Sequence, residues 1–119
     1  MFTIASNDLG QITVSRETVE TIAGLAAVDC YGLVGMAPRR ISSGIAEILG
    51  LESLRKGVEV TETPAGLAID VYVVVGYGTK ISEVALNVMQ KIRYVMEEIA
   101  GLRVATVNVN VQSVRVSKP

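Results

Sequence analysis

The spacing of apolar positions changes period along the second half of the chain. From Ile81 to Ile99 they fall at Ile81, Val84, Ala85, Val88, Ile92, Val95, Met96 and Ile99. Steps of three and four put them on one stripe of a 3.6-residue helix. Gly101 ends that helix, and Val107-Asn108-Val109-Asn110-Val111 then alternates with a period of two, as a strand with one apolar face does. Upstream, Val58 to Glu62 alternates as a half-exposed strand. Thr63-Pro64-Ala65-Gly66 makes a hairpin connection, since proline presets one turn dihedral and glycine relieves another. The returning strand puts Leu67, Ile69, Val71, Val73 and Val75 on one face and Ala68, Asp70, Tyr72 and Val74 on the other. In the last strand the parity flips at Gln112-Ser113, so Val114 and Val116 face inward only if a β-bulge sits there.

The first half is less regular. Met1 to Leu9 reads as a loose terminus with Asn7-Asp8 as turn formers. Gly10 to Val14 is a short strand with Ile12 and Val14 inward. Ser15 then caps a helix whose first turn is acidic and whose stripe is Val19, Ile22, Ala23, Ala26 and Cys30. Gly32 to Arg40 reads as a connector. Ser42 or Ser43 caps a short helix carrying Ile45, Ile48 and Leu49, which Gly50 interrupts and Leu51 and Leu54 continue toward Gly57. No repeat or linker divides residues 1–119, so one domain is expected. The element order predicts an α+β two-layer sandwich. Its four-stranded, mostly antiparallel sheet carries helices on one face and one short extra helix, in a split βαβ, ferredoxin-like arrangement.

Composition narrows the function classes. Half of the 119 residues are apolar and 4% are aromatic, so the core is aliphatic. Mean hydropathy is +0.43, yet no run approaches the roughly 20 apolar residues of a membrane span. The N-terminus lacks the basic and long apolar regions of a signal peptide, and the lone Cys30 fits a reducing cytoplasm as a buried thiol. Eleven basic and twelve acidic residues leave a formal charge of −1, which lowers the expectation of a nucleic-acid partner.

The absence of histidine removes Ser-His-Asp and Cys-His catalysis and the most common zinc ligand. Glu97 and Glu98 are adjacent on a helix, diverge by about 100°, and cannot readily share a proton. No acidic cluster has the spacing of a calcium or magnesium loop, and no catalytic residue, metal or cofactor is expected. Gly76, Gly78, Thr79 and Lys80 form a weak anion-site candidate, because they join a buried strand to a helix start. Their order is not that of a phosphate-binding loop, so a tight turn capped by Thr79 or Ser82 explains them as well. Gly32-Leu33-Val34-Gly35 matches a KH-type RNA loop only superficially, and Arg39-Arg40 with Arg55-Lys56 would be its small basic patch. The outward sheet face is the stronger candidate. Tyr72, Val74, Asn108 and Asn110, with Glu59, Thr61 and Asp70, make a neutral, amide-rich surface with a central aromatic ring, suited to a protein contact.

Several blocks resemble the alkaline-shock, envelope-stress-response family of Gram-positive bacteria. These are Gly10 to Ser15 leading into Val19 and Ile22-Ala23, Val34-Gly35-Met36, Lys56 to Val60, Val71 to Gly78, Ile81 to Val84, Gly101 to Val104 and Val107 to Val111. Residues 1–119 include no charged extension of the kind that some members carry. The resemblance implies a non-enzymatic, cytoplasmic scaffold that self-associates and docks to a membrane-anchored partner at the inner face of the membrane. A small anion- or nucleotide-binding module at Gly76 to Lys80 is the alternative, and an RNA-binding domain a further one.

Overall fold

A hydrogen-bonded hairpin occupies the N-terminus. The structure, a computed structural model, describes residues 1–37 and 51–116. Strands β1 (Phe2–Asn7) and β2 (Gly10–Val14) pair antiparallel from Phe2–Val14 to Asn7–Gly10. The Asn7 carboxamide closes the turn by accepting from the Leu9 amide at 2.8 Å. The expected loose terminus is therefore a strand, held because Phe2 is buried in the core and Ile4 packs beside it. This hairpin is a sheet of its own, separate from the main one. Ile12, expected to face inward, is consequently 58% exposed.

Helix α1 (Arg16–Val28) starts where its cap predicts, with the Ser15 hydroxyl accepting from the Thr18 amide at 3.1 Å. Val19, Ala23, Gly24, Ala26 and Ala27 are its buried residues. The chain then forms strand β3 (Leu33–Met36) within the expected connector. The helix expected from Ser42 or Ser43 through Leu49 lies outside the described residues. Its continuation is helix α2 (Leu51–Lys56), which packs through Leu54 on Gly24.

The main sheet is built around β5 (Gly66–Gly76). Strand β4 (Val58–Thr63) pairs antiparallel with Gly66–Val71, and β3 continues the same edge against Val73–Val75. Backbone bonds on either side of Tyr72, from the Ala37 amide to its carbonyl and from its amide to the Gly57 carbonyl, mark the junction. On the other edge β6 (Val104–Arg115) runs parallel, from Leu67–Val104 to Gly76–Arg115. The fold is thus α+β with a mostly antiparallel four-stranded sheet. Its fourth strand is β3 rather than Gly10–Val14, and the parallel strands of the βαβ unit are direct neighbours, with no strand between them. The bulge expected in the last strand is present: Val111 faces Val73 and Ser113 faces Val74, leaving Gln112 as the extra residue. A second shift leaves Ala105 extra between Val104 and Thr106.

Leu67, Ile69, Val71, Val73 and Val75 are buried toward α1 and α3 (Ile81–Tyr94), and the alternate residues of β5 are half-buried on the opposite face. Along α3 the buried stripe is Val84, Val88 and Ile92, continued by Met96. Ile81 and Ile99 leave it, at 44% and 70% exposed. For Ile99 the cause is a π-helical turn over Val95–Ile99, where the Ala100 amide bonds to the Val95 carbonyl five residues back.

Candidate functional site

The open face of the main sheet is set by strand register. Glu59 of β4 and Asn108 of β6 lie on either side of Asp70, while Asn110 lies beside Tyr72. The Asn108 amide donates to the Asp70 carboxylate at 3.0 Å, and the Asn110 amide donates to the Val71 carbonyl at 3.3 Å. Both asparagines are thereby oriented along the surface between β5 and β6. Tyr72 and Val74 are half-buried in the middle of the face, and Asn108 is exposed. The four residues expected to share this face do so, and they combine an aromatic ring, a β-branched side chain and two fixed amides. Such a mixture suits recognition of a protein surface, with apolar area for affinity and polar groups for register.

The Gly76–Lys80 segment is a tight turn. Gly78 has φ +96°, and the Thr79 hydroxyl donates to the Gly76 carbonyl at 2.7 Å. Lys80 occupies the N-cap position of α3 without a side-chain cap, so neither Thr79 nor Ser82 plays the expected capping role. The Glu83 and Val84 amides bond to the Lys80 carbonyl, each at 3.0 Å. Tyr31, Gly78, Thr79, Lys80, Glu83 and Asn87 line a cleft of about 250 Å³ here. The lining thus carries an acidic side chain, Glu83, as well as the basic Lys80.

Other candidates resolve into structural roles. Gly32-Leu33-Val34-Gly35 is no exposed phosphate loop, since Leu33 and Gly35 pair with β5. Arg55 and Lys56 end α2, while Arg39 and Arg40 lie outside the described residues. Cys30 is half-buried with Sγ 3.6 Å from the Ala26 carbonyl oxygen. Burial pushes its thiol pKa up, with Asp29 adding to the shift and Lys91 opposing it. A raised pKa is the reverse of nucleophile activation. Glu97 is tied into the fold: its carboxylate accepts from Arg93 at 3.3 Å and from the Val104 amide at 3.4 Å.

Two features have no counterpart in the sequence patterns. Arg93 spans from α3 to the start of β6, donating to the Val104 and Ala105 carbonyls at 3.1 Å each. An open apolar groove of about 440 Å³ lies between α1 and the end of α3, lined by Ile22, Leu25, Ala26, Val28, Asp29 and Val95. Ile22, Ala26 and Val95 fall on the helical stripes read from the sequence, whereas Leu25 lies off the α1 stripe, and which rim of a stripe stays open depends on how the helices cross.

Comparison with solved structures supports the fold. A structure of MamM-CTD residues 215–293 superposes with a TM-score of 0.51 at 13% identity, covering 83% of this chain and 99% of that one. Another structure in this series is titled a copper form, with the same TM-score at 12% identity. The present chain has no histidine, and among its described residues no group of three or more cysteine, aspartate and glutamate side chains could hold a metal. Among sequence relatives, the uncharacterised protein YloU of Bacillus subtilis (strain 168) is 50% identical over 111 residues, 92% of each chain. The uncharacterised protein Spy1614 of Streptococcus pyogenes serotype M6 is 38% identical, covering 90% of this chain and 89% of its own. A stress response regulator gls24 homolog of S. pyogenes serotype M3 is 26% identical over 89% of this chain and 59% of its own. The profile of the ASP23 family, described by a cell envelope-related function, matches residues 4–116, and the chain belongs to that family.

Proposed function

We propose that this chain is a non-catalytic docking protein of the cell-envelope stress response. It engages a membrane-anchored protein partner through the open face of its main sheet, at the inner face of the membrane, and it self-associates. The observation that carries this reading is the face itself: Tyr72 and Val74 stand in the middle of β5, and the Asn108 amide is fixed on Asp70 beside them. Family membership supplies the envelope context, and no described helix is long and apolar enough to cross a membrane, so attachment through a partner suits the chain. Burial of a central aromatic residue on such a face is the usual source of a contact's affinity. The alternative anion site at Gly76–Lys80 draws support from the uncapped start of α3. It is opposed by Glu83 in the same cleft and by the internal use of the Thr79 hydroxyl.

The test is a Tyr72→Glu variant, compared with the wild type for co-sedimentation with membranes and in-cell crosslinking to membrane proteins. A folded variant, by circular dichroism, should lose both. Retention of both at wild-type levels in the folded variant overturns the sheet-face reading.

A further inference from the structure

We infer that the outer edge of β6 is a self-pairing surface, on which a second copy of this chain docks antiparallel about a two-fold axis through Val109. This rests on the self-association in the reading above and names its surface. Among the described residues β6 pairs with no strand other than β5. Arg93 covers the carbonyls of Val104 and Ala105, at the beginning of the edge. Beyond it, from Thr106 onward, no side-chain hydrogen bond from another described element covers the edge in the way Arg93 does, and the strand carries no charged side chain until Arg115. Long, uncharged edges are what proteins normally guard against with lysine, proline or covering loops. The opposite edge of the sheet is guarded: β4 carries Glu59 and Glu62, and the Arg16 guanidinium donates to the Val60 carbonyl.

The choice of occupant comes from the residue order. Val107-Asn108-Val109-Asn110-Val111 reads the same in both directions, and it lies between the bulges at Ala105 and Gln112. Antiparallel pairing about Val109 sets Val107 opposite Val111 and Asn108 opposite Asn110 of the second copy, so every valine meets a valine and every asparagine an asparagine. A closed two-fold contact requires self-complementarity of this kind. No charged side chain lies between Val104 and Val114, and Arg103 and Arg115, the like charges this register would bring toward one another at each end, lie outside the bulges at Ala105 and Gln112. Burial agrees too: Val109 and Val111 face the helix side but remain only half-buried. Pairing would remove their exposed area from water and join the two sheets, with the helices of both copies on one face.

The test reads register. In a Cys30→Ser background, Asn108→Cys and Asn110→Cys chains are oxidised mildly, separately and as a mixture. The wild-type mass is measured by light scattering in parallel. A wild-type dimer, with disulfide-linked dimer formed in the mixture but not from either variant alone, is the expected result. A second variant, Asn110→Lys, should weaken the wild-type dimer by at least about tenfold, through charge placed in an uncharged contact. A wild-type dimer whose mixture crosslinks no better than the separate variants overturns the β6 edge while leaving self-association standing. A monomeric wild type at the same concentration overturns both.

Discussion

Gly32 shows how one residue ties three elements together. It follows α1, precedes β3, has φ +91°, and accepts a backbone bond from the Gly76 amide at 3.0 Å. A Cβ built on it would lie 2.6 Å from Cγ2 of Val84, a buried residue of α3. Alanine there meets both an unfavourable backbone region and a clash, so Gly32→Ala should cost about 3 kcal/mol. Gly35, three residues on, has negative φ and nothing within 4 Å of a built Cβ. Gly35→Ala should stay within about 0.5 kcal/mol of the wild type. Urea unfolding midpoints of the two variants check the contrast. Both glycines lie in the stretch read from the sequence as a connector, with nothing to tell them apart, because the requirement at Gly32 comes from Val84, a residue far along the chain.

At the scale of elements, strong period-two and period-3.6 patterns gave β4, β5, β6, α1 and α3, and even the Gln112 bulge, because one lost parity in a strand has few remedies. Strands β1 and β3 were not legible. β1 is a mixed run whose burial depends on Phe2 and Ile4 alone, and β3 contains glycine and is defined by pairing with β5. The sheet-face residues were legible through alternation, whereas the Arg93 contacts were not, since they link a helix to the strand that follows it. Those contacts predict a measurable effect. Arg93→Met would remove donors from the Val104 and Ala105 carbonyls and one of the two donors to Glu97. The arginine and glutamate side chains are 43% and 36% exposed, so water partly compensates, and a loss of about 1 kcal/mol is expected. Hydrogen exchange should be faster at the first residues of β6 and unchanged in β4. Uniform acceleration across the sheet would show that Arg93 acts on global stability and not as a local clip.

At the scale of the whole molecule, the question is whether the β1–β2 hairpin folds with the body or rides on it. The hairpin forms its own sheet, and Leu9 at its tip is 97% exposed, both of which suggest an appendage. Its root indicates the opposite. Phe2 is 4% exposed within the common core, the Arg16 guanidinium stands 5.4 Å from the ring centroid, and Ile4 packs on the same cluster. Arg16 also donates to the Val60 carbonyl, so one side chain ties the hairpin root, α1 and β4 together. An isolated two-stranded hairpin is marginal in water, and anchoring in the core would be its main source of stability. Phe2→Ala should therefore destabilise the entire domain by about 3 kcal/mol in a single transition, whereas Leu9→Ser should shift stability by less than about 0.5 kcal/mol. Thermal unfolding followed both by circular dichroism and by hairpin amide exchange distinguishes the cases. Coincident loss in Phe2→Ala marks one cooperative unit over the described chain. Early loss of hairpin protection, with the body's midpoint unchanged, would make the hairpin an appendage that opens on its own.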